Sequence, residues 1–276
     1  MLLLTILFFV ISLVAYGGQV SICVHKHLTQ SQQFQKLGIC FALGGLVFQS
    51  AFIGCSSVLQ AGTQLQGANV LMLISWACAL AYLILLIAGK RAYGDYLIVC
   101  ALAFELISSA LGLMSRDAAL NEVYQSWPYL VVHVACYMIS ASLFLITGIA
   151  SILALLQDKN LKNKEVSKLK RYPGLSALKQ MGRNCVLIGM PLYSVGLILG
   201  ILRAVHLVEL WFLSPRVLLA GALWFVVLLY LFQVYVLRAS TASSSKTGVA
   251  LAALTLILAV LSASIPMFLP AQFLST

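Results

Sequence analysis

Acidic side chains are scarce. The 276-residue chain carries seven Asp and Glu, and charged residues of either sign make up 9% of it, against about 25% in an ordinary soluble domain. So small a polar share cannot cover a globule in water. That excludes a soluble enzyme, a disordered tail and a nucleic-acid-binding domain. Paired cysteines are lacking too. Cys23, Cys40, Cys55, Cys78, Cys100, Cys136 and Cys185 stand singly with no C-x-x-C among them, which argues against a disulfide framework and a zinc site. Each reads as a small hydrophobe inside an apolar run. No soluble domain fits between the apolar runs, and the two halves show no convincing similarity of the kind many transporters are built on.

What is present is apolar. Hydrophobic residues make up 62% of the chain and the mean hydropathy is +1.03, as in an integral membrane protein. About 20 apolar residues span a hydrocarbon layer of about 30 Å. Eight runs of that length are expected as transmembrane helices: Met1–Val24, Leu37–Leu59, Ala68–Gly89, Tyr93–Met114, Pro128–Gln157, Asn184–Val205, Val217–Leu237 and Gly248–Leu269. The expected fold is an all-α polytopic helical bundle, one transmembrane domain over residues 1–276. The first run has no basic residue before it and exceeds a usual signal-peptide core, so it reads as a retained helix.

Connections after the odd-numbered runs hold fourteen Lys and Arg, those after the even-numbered runs three. By the positive-inside rule both termini face outward and the 158–183 connection is cytoplasmic. The basic excess then reflects topology and anionic lipid, with no nucleic acid implied. The expected location is the cell inner (plasma) membrane. The 158–183 connection reads as an interfacial connector or a docking site for a cytoplasmic partner, and ASTASSS at 239–245 as a polar connector.

Histidines fall in two pairs. His25 and His27, beside Lys26, read as a solvated turn. His133 lies five residues inside the outer end of the fifth run, about 7–8 Å along its axis, and His206 ends the sixth just past Arg203. Adjacent antiparallel runs bring such ends together at one depth, as bis-imidazole ligation of a haem iron requires. An interhelical hydrogen bond from His133 and a headgroup-level His206 account for the same residues. The outer stretch RAVHLVELWFLSPR, with Tyr124, Trp127 and Tyr129 on the neighbouring connection, reads either as an interfacial aromatic belt or as a shelf for a flat apolar ligand. In the second case Trp211 forms the shelf, and Arg203 or Arg216 pairs with a propionate. Glu105, mid-span in the fourth run, is a costly acid with two readings, a functional site or a hydrogen-bonded neutral group. Gln49, Gly44 and Gly45 read as close-packing features.

From Tyr172 the chain reads YPGLSALKQMGRNCVLIGMPLYSVGLILGILRA. The skeleton P-x-L-x-x-L followed by G-x-P-L-x-x-x-G-L-I-x-G resembles the cytochrome c assembly proteins of the CcsA/ResC type, a skeleton that HemX-type proteins share. WPYLVVHVACYMISASLFLITGIASILALLQ is similar to the family's histidine-bearing helix, NVLMLISWACALAYLILL to its tryptophan-containing helix, and GALWFVVLLYLF to the helix after the signature loop. The resemblance covers about residues 68–238. It implies a protein that presents b-type haem between two outward histidines for attachment to apocytochrome c, alongside a second assembly subunit. His133 and His206 are then the haem ligands, Trp211 is part of the shelf, and no independent catalytic side chain is implied. Where the family has W-D-P-K/R-E, this chain has Leu213-Ser214-Pro215-Arg216-Val217. Gln49 stands where relatives carry a transmembrane histidine. Both departures point to a divergent assembly component or a HemX-like haem-handling protein rather than a full haem ligase. A HemX-like regulator of a haem-biosynthesis enzyme, acting through the 158–183 connection, and a small-solute transporter using Glu105 are the alternatives.

Overall fold

The computed structural model describes residues 2–29, 34–59, 68–87, 91–114, 129–163, 174–207, 212, 215–237 and 241–268. Among these residues the chain forms eight α-helices and no strand: α1 (Leu2–Thr29), α2 (Gln35–Leu59), α3 (Ala68–Ile87), α4 (Arg91–Met114), α5 (Leu130–Lys162), α6 (Leu175–Leu207), α7 (Pro215–Tyr235) and α8 (Thr241–Phe268). Seven of them, all but α4, are long and apolar enough to cross a bilayer. Hydrocarbon offers the backbone no hydrogen-bond partner, so each apolar run must satisfy its own N–H and C=O groups as a helix. Large apolar side chains such as Val47, Ile84, Ile198 and Phe225 point outward, as a surface covered by lipid requires.

The ends differ from the hydropathy expectation. α6 starts at Leu175 rather than Asn184, and α8 at Thr241 rather than Gly248. α5 runs on to Lys162, where Lys162 Nζ pairs with Asp158 at 2.8 Å across one turn. Hydropathy registers only the part of a helix that lies in hydrocarbon. Polar turns that project past it stay helical because water and local ion pairs satisfy them. Most of the 158–183 connection is therefore helix, and residues 164–173, with Val166, Leu169 and Pro173, lie outside the described residues.

The chain divides into two compact units, one carrying α1–α4 and the other α5–α8 as far as Ser262. In the first, α1 packs on α2 and α4, and α3 packs on α2 and α4. In the second, α5 and α6 form the closest pair. As α5 advances from His133 through Cys136 and Phe144 to Thr147, its neighbours on α6 retreat through Gly200, Gly196, Gly189 and Gly182. The two helices are therefore antiparallel. Gly182, Gly189 and Gly196 recur every seven residues, a spacing that keeps one face on a neighbouring helix, and their missing side chains let the backbones close up. Phe144, Val186, Tyr193, Leu223, Val227 and Tyr230 form the buried core beside this seam, with Leu251 and Leu258 from α8.

Candidate functional site

His133 is placed by the glycine face of α6. Its Nδ1 lies 2.7 Å from the carbonyl oxygen of Gly196. A carbonyl can only accept, so Nδ1 carries the hydrogen, and in the neutral ring the lone pair resides on Nε2. The Gly196 carbonyl sits in a helix but has a second lone pair for this bond. Gly200, one turn on, makes room for the ring: a Cβ there would come within 2.8 Å of His133 Cε1 and 3.4 Å of Nδ1. Orientation of one imidazole nitrogen by a backbone carbonyl is the arrangement that prepares the other for a metal. One turn further along α5, the Tyr137 hydroxyl is buried with no hydrogen-bond partner among the described residues. The Tyr137 ring packs against Tyr193 at 6.4 Å between centroids.

His206 lies on α6, six residues past Gly200, or about 9 Å along the axis. The backbone register thus sets the two histidines at the same end of the α5–α6 pair, with the His206 backbone further along the axis than Gly200. At 3.6 residues per turn His206 is also about a quarter-turn or more round α6 from the glycine face. The side chains of His206, Arg203 and Arg216 are outside the description, as is Trp211 altogether, along with Tyr124 and Trp127. Among the described residues no three His, Cys, Asp or Glu gather to hold a metal ion. The His25 ring meets Phe34 edge-on at 5.8 Å, whereas nothing is described of the His27 side chain.

A second polar constellation, in the first unit, escapes a reading of single residues. Ser12, Tyr16, Gln19, Cys23 and Lys26 are spaced four and three apart along α1, which lines them on one face. Ser12 Oγ donates to Glu105 Oε1 of α4. The Tyr16 hydroxyl donates to Gln49 Oε1 of α2 at 2.7 Å. Gln49 Nε2 in turn donates to Ser75 Oγ at 3.1 Å and to the Met72 carbonyl at 3.2 Å on α3. Ser75 passes the chain to the Ala101 carbonyl of α4 at 2.7 Å. Gln19 Nε2 donates to the Tyr82 hydroxyl at 2.9 Å, and Lys26 pairs with Asp95 at 2.7 Å. Glu105 and Gln49 are both fully buried, 0% exposed, and Glu105 Oε2 has no hydrogen-bond partner among the described residues. Gly45 lies where a Cβ would strike the Tyr16 ring, so close packing and polar bonding at Gln49 are one feature. In a bilayer such groups serve first as glue between helices.

Eight helices, a glycine-seamed antiparallel pair and an imidazole oriented by a backbone carbonyl define a multi-pass membrane protein with a histidine poised at a helix–helix seam. The Cytochrome C assembly protein family matches residues 62–268. The chain belongs to that family. It is also 33% identical, over 122 residues, to Protein HemX of Brevibacillus brevis. That match covers 44% of this chain and 45% of the relative, so the chain spans under half the length of the curated relative it matches. No solved structure matches it.

Proposed function

We propose that this protein handles haem in cytochrome c assembly, holding b-type haem near the outer face of the cell inner membrane. His133 is one ligand, and His206, which α6 carries to the same end of the pair, is the second. The observation that carries the reading is the His133 Nδ1 contact to the Gly196 carbonyl, in a cradle that a side chain at position 200 would fill. The donor set fits the group. A neutral imidazole of fixed tautomer is what haem iron takes, and the Tyr137 hydroxyl supplies a polar contact within one turn. When bound, the haem supplies the iron chemistry; this chain's residues bind, orient and shield it. Trp211 provides an apolar shelf, and Arg203 and Arg216 pair with carboxylates. The apocytochrome and a second assembly subunit are its partners in this reading.

The test is a visible absorption spectrum of the detergent-purified protein with and without added haemin. A low-spin spectrum is expected, lost in His133→Ala and converted to a weaker, five-coordinate form in His206→Ala. Spectra unchanged in both variants overturn the assignment. Tyr137→Phe separates packing from ligand contact. Removing an unpaired buried hydroxyl should leave the empty protein as stable or stabilise it by about 1 kcal/mol, while haem retention falls by roughly threefold to tenfold. Chemical denaturation and haem titration of the same preparation read the two effects.

A second reading is control of a haem-biosynthesis enzyme at the opposite face, through the basic 158–183 connection. It requires that such an enzyme co-purify with the protein and be lost when the basic residues between 158 and 183 are neutralised, whatever the state of His133.

A further inference from the structure

The second unit has a cavity of about 450 Å³ at the end opposite His133, where α5, α6, α7 and α8 meet. That is within the usual range for small-ligand sites. Its polar lining carries charge of one sign. Lys179 and Arg183 from α6 contribute cationic heads, Ser151, Ser176, Ser244 and Ser245 hydroxyls, and Gln180 an amide; among the described residues no Asp or Glu lines it. Neither Lys179 nor Arg183 has an acidic partner among the described residues, and Asp158, the one acid on α5, is engaged by Lys162. The Arg183 guanidinium rests over the Tyr235 ring at 5.5 Å, which holds it in place by its face and leaves its edge donors for a ligand.

The backbone adds to this. Ser176 lies in the first turn of α6 and Ser244 in the first turn of α8, so the positive ends of two long helices stand at this corner. Close approach of α8 to α5 is secured at Gly248, where Ser151 occupies the space a side chain would take. The two connections at this end carry ten of the seventeen Lys and Arg of the chain, so the surrounding field draws anions in.

We propose that this cavity is a binding site for a phosphate-bearing anion. Paired cations with no acidic partner among the described residues, several hydroxyl donors and two helix N-termini match a tetrahedral oxyanion with several acceptor oxygens and more than one negative charge. A carboxylate presents fewer acceptors than the cavity has donors. The apolar remainder of the lining, alanine, leucine and valine, suits an attached hydrocarbon or ring. The phosphate belongs either to the headgroup of an anionic lipid or to a soluble phosphate compound. The site is independent of the haem reading.

The experiment measures thermal unfolding of the full chain in maltoside micelles. Inorganic phosphate is added in one arm and dihexanoyl-phosphatidylglycerol in the other, each against sodium chloride of equal ionic strength. Saturable stabilisation in either arm is expected, the lipid arm alone identifying a headgroup site and the phosphate arm a soluble ligand. K179Q/R183Q should weaken binding at least tenfold and K179R/R183K less than threefold. K159Q/K246Q removes two cations of the same end that neither line the cavity nor engage Asp158, and should weaken binding less than twofold. All four substituted side chains are exposed, so the fold survives their exchange. The proposal is overturned if neither probe exceeds chloride, or if K159Q/K246Q weakens binding as much as K179Q/R183Q.

Discussion

Gly200→Leu is expected to remove haem as completely as His133→Ala does. The added Cβ would meet His133 Cε1 at 2.8 Å, and the rest of the leucine must occupy the volume of the ring. The imidazole would then be expelled from the α5–α6 seam and its Nδ1 would lose the Gly196 carbonyl. Without that bond the tautomer is no longer fixed, and the lone pair no longer faces one direction. Overpacking a tight seam costs about 1–3 kcal/mol, so the unfolding midpoint should fall but the helices should persist. Gly200→Ala is milder: the ring must give by a few tenths of an ångström, and haem retention should drop by roughly tenfold, about 1.4 kcal/mol. Gly221 of α7 is the control, because a Cβ there meets nothing within 4 Å; Gly221→Leu should leave spectrum and midpoint unchanged. A Gly200→Leu protein with the full haem spectrum would show that His133 is not the ligand.

The helices were legible and the seam was not, for the same physical reason. Apolar length announces a spanning segment because the bilayer selects for it, and eight helices follow from eight runs. Hydropathy is blind wherever a helix leaves hydrocarbon, so the starts of α6 and α8, rich in Lys, Gln and Ser, read as connections. The glycines at 182, 189, 196 and 200 stood inside the skeleton that carried the family resemblance, but glycine on a lipid-facing side and glycine at an interface look alike in one sequence. What turns them into a site is the carbonyl that Gly196 uncovers for His133, a backbone group with no signature in residue type. The level of His206 against His133 could not be read either, because loop length fixes which ends are adjacent, not the level at which they meet. On α1 the pattern was there to be found. Ser12, Tyr16, Gln19, Cys23 and Lys26 share one face by spacing alone, and only their partners on α2, α3 and α4 were hidden.

Gln49→Leu is expected to destabilise the first unit by about 2 kcal/mol. The Gln49 side chain is fully buried and links α1 to α3 from its place on α2. Interhelical hydrogen bonds in membranes average about 0.6 kcal/mol each, so the bonds alone give less than the total. Ser75 keeps the Ala101 carbonyl, and the Met72 carbonyl keeps its helical partner, so neither is left bare. The Tyr16 hydroxyl is different. It donates to Gln49 Oε1 in a fully buried setting, and leucine would leave it with an uncompensated desolvation penalty of about 1–3 kcal/mol. Most of the loss should therefore reside in the Tyr16–Gln49 pair. Tyr16→Phe alone should cost about 1 kcal/mol, but in the Gln49→Leu background it should recover about as much, because it deletes the stranded hydroxyl. Equilibrium unfolding in mixed micelles across the four proteins gives the coupling directly. Additivity within about 0.5 kcal/mol would mean that the polar chain contributes no more than its packing, and that Gln49 holds α1 to α3 by shape alone.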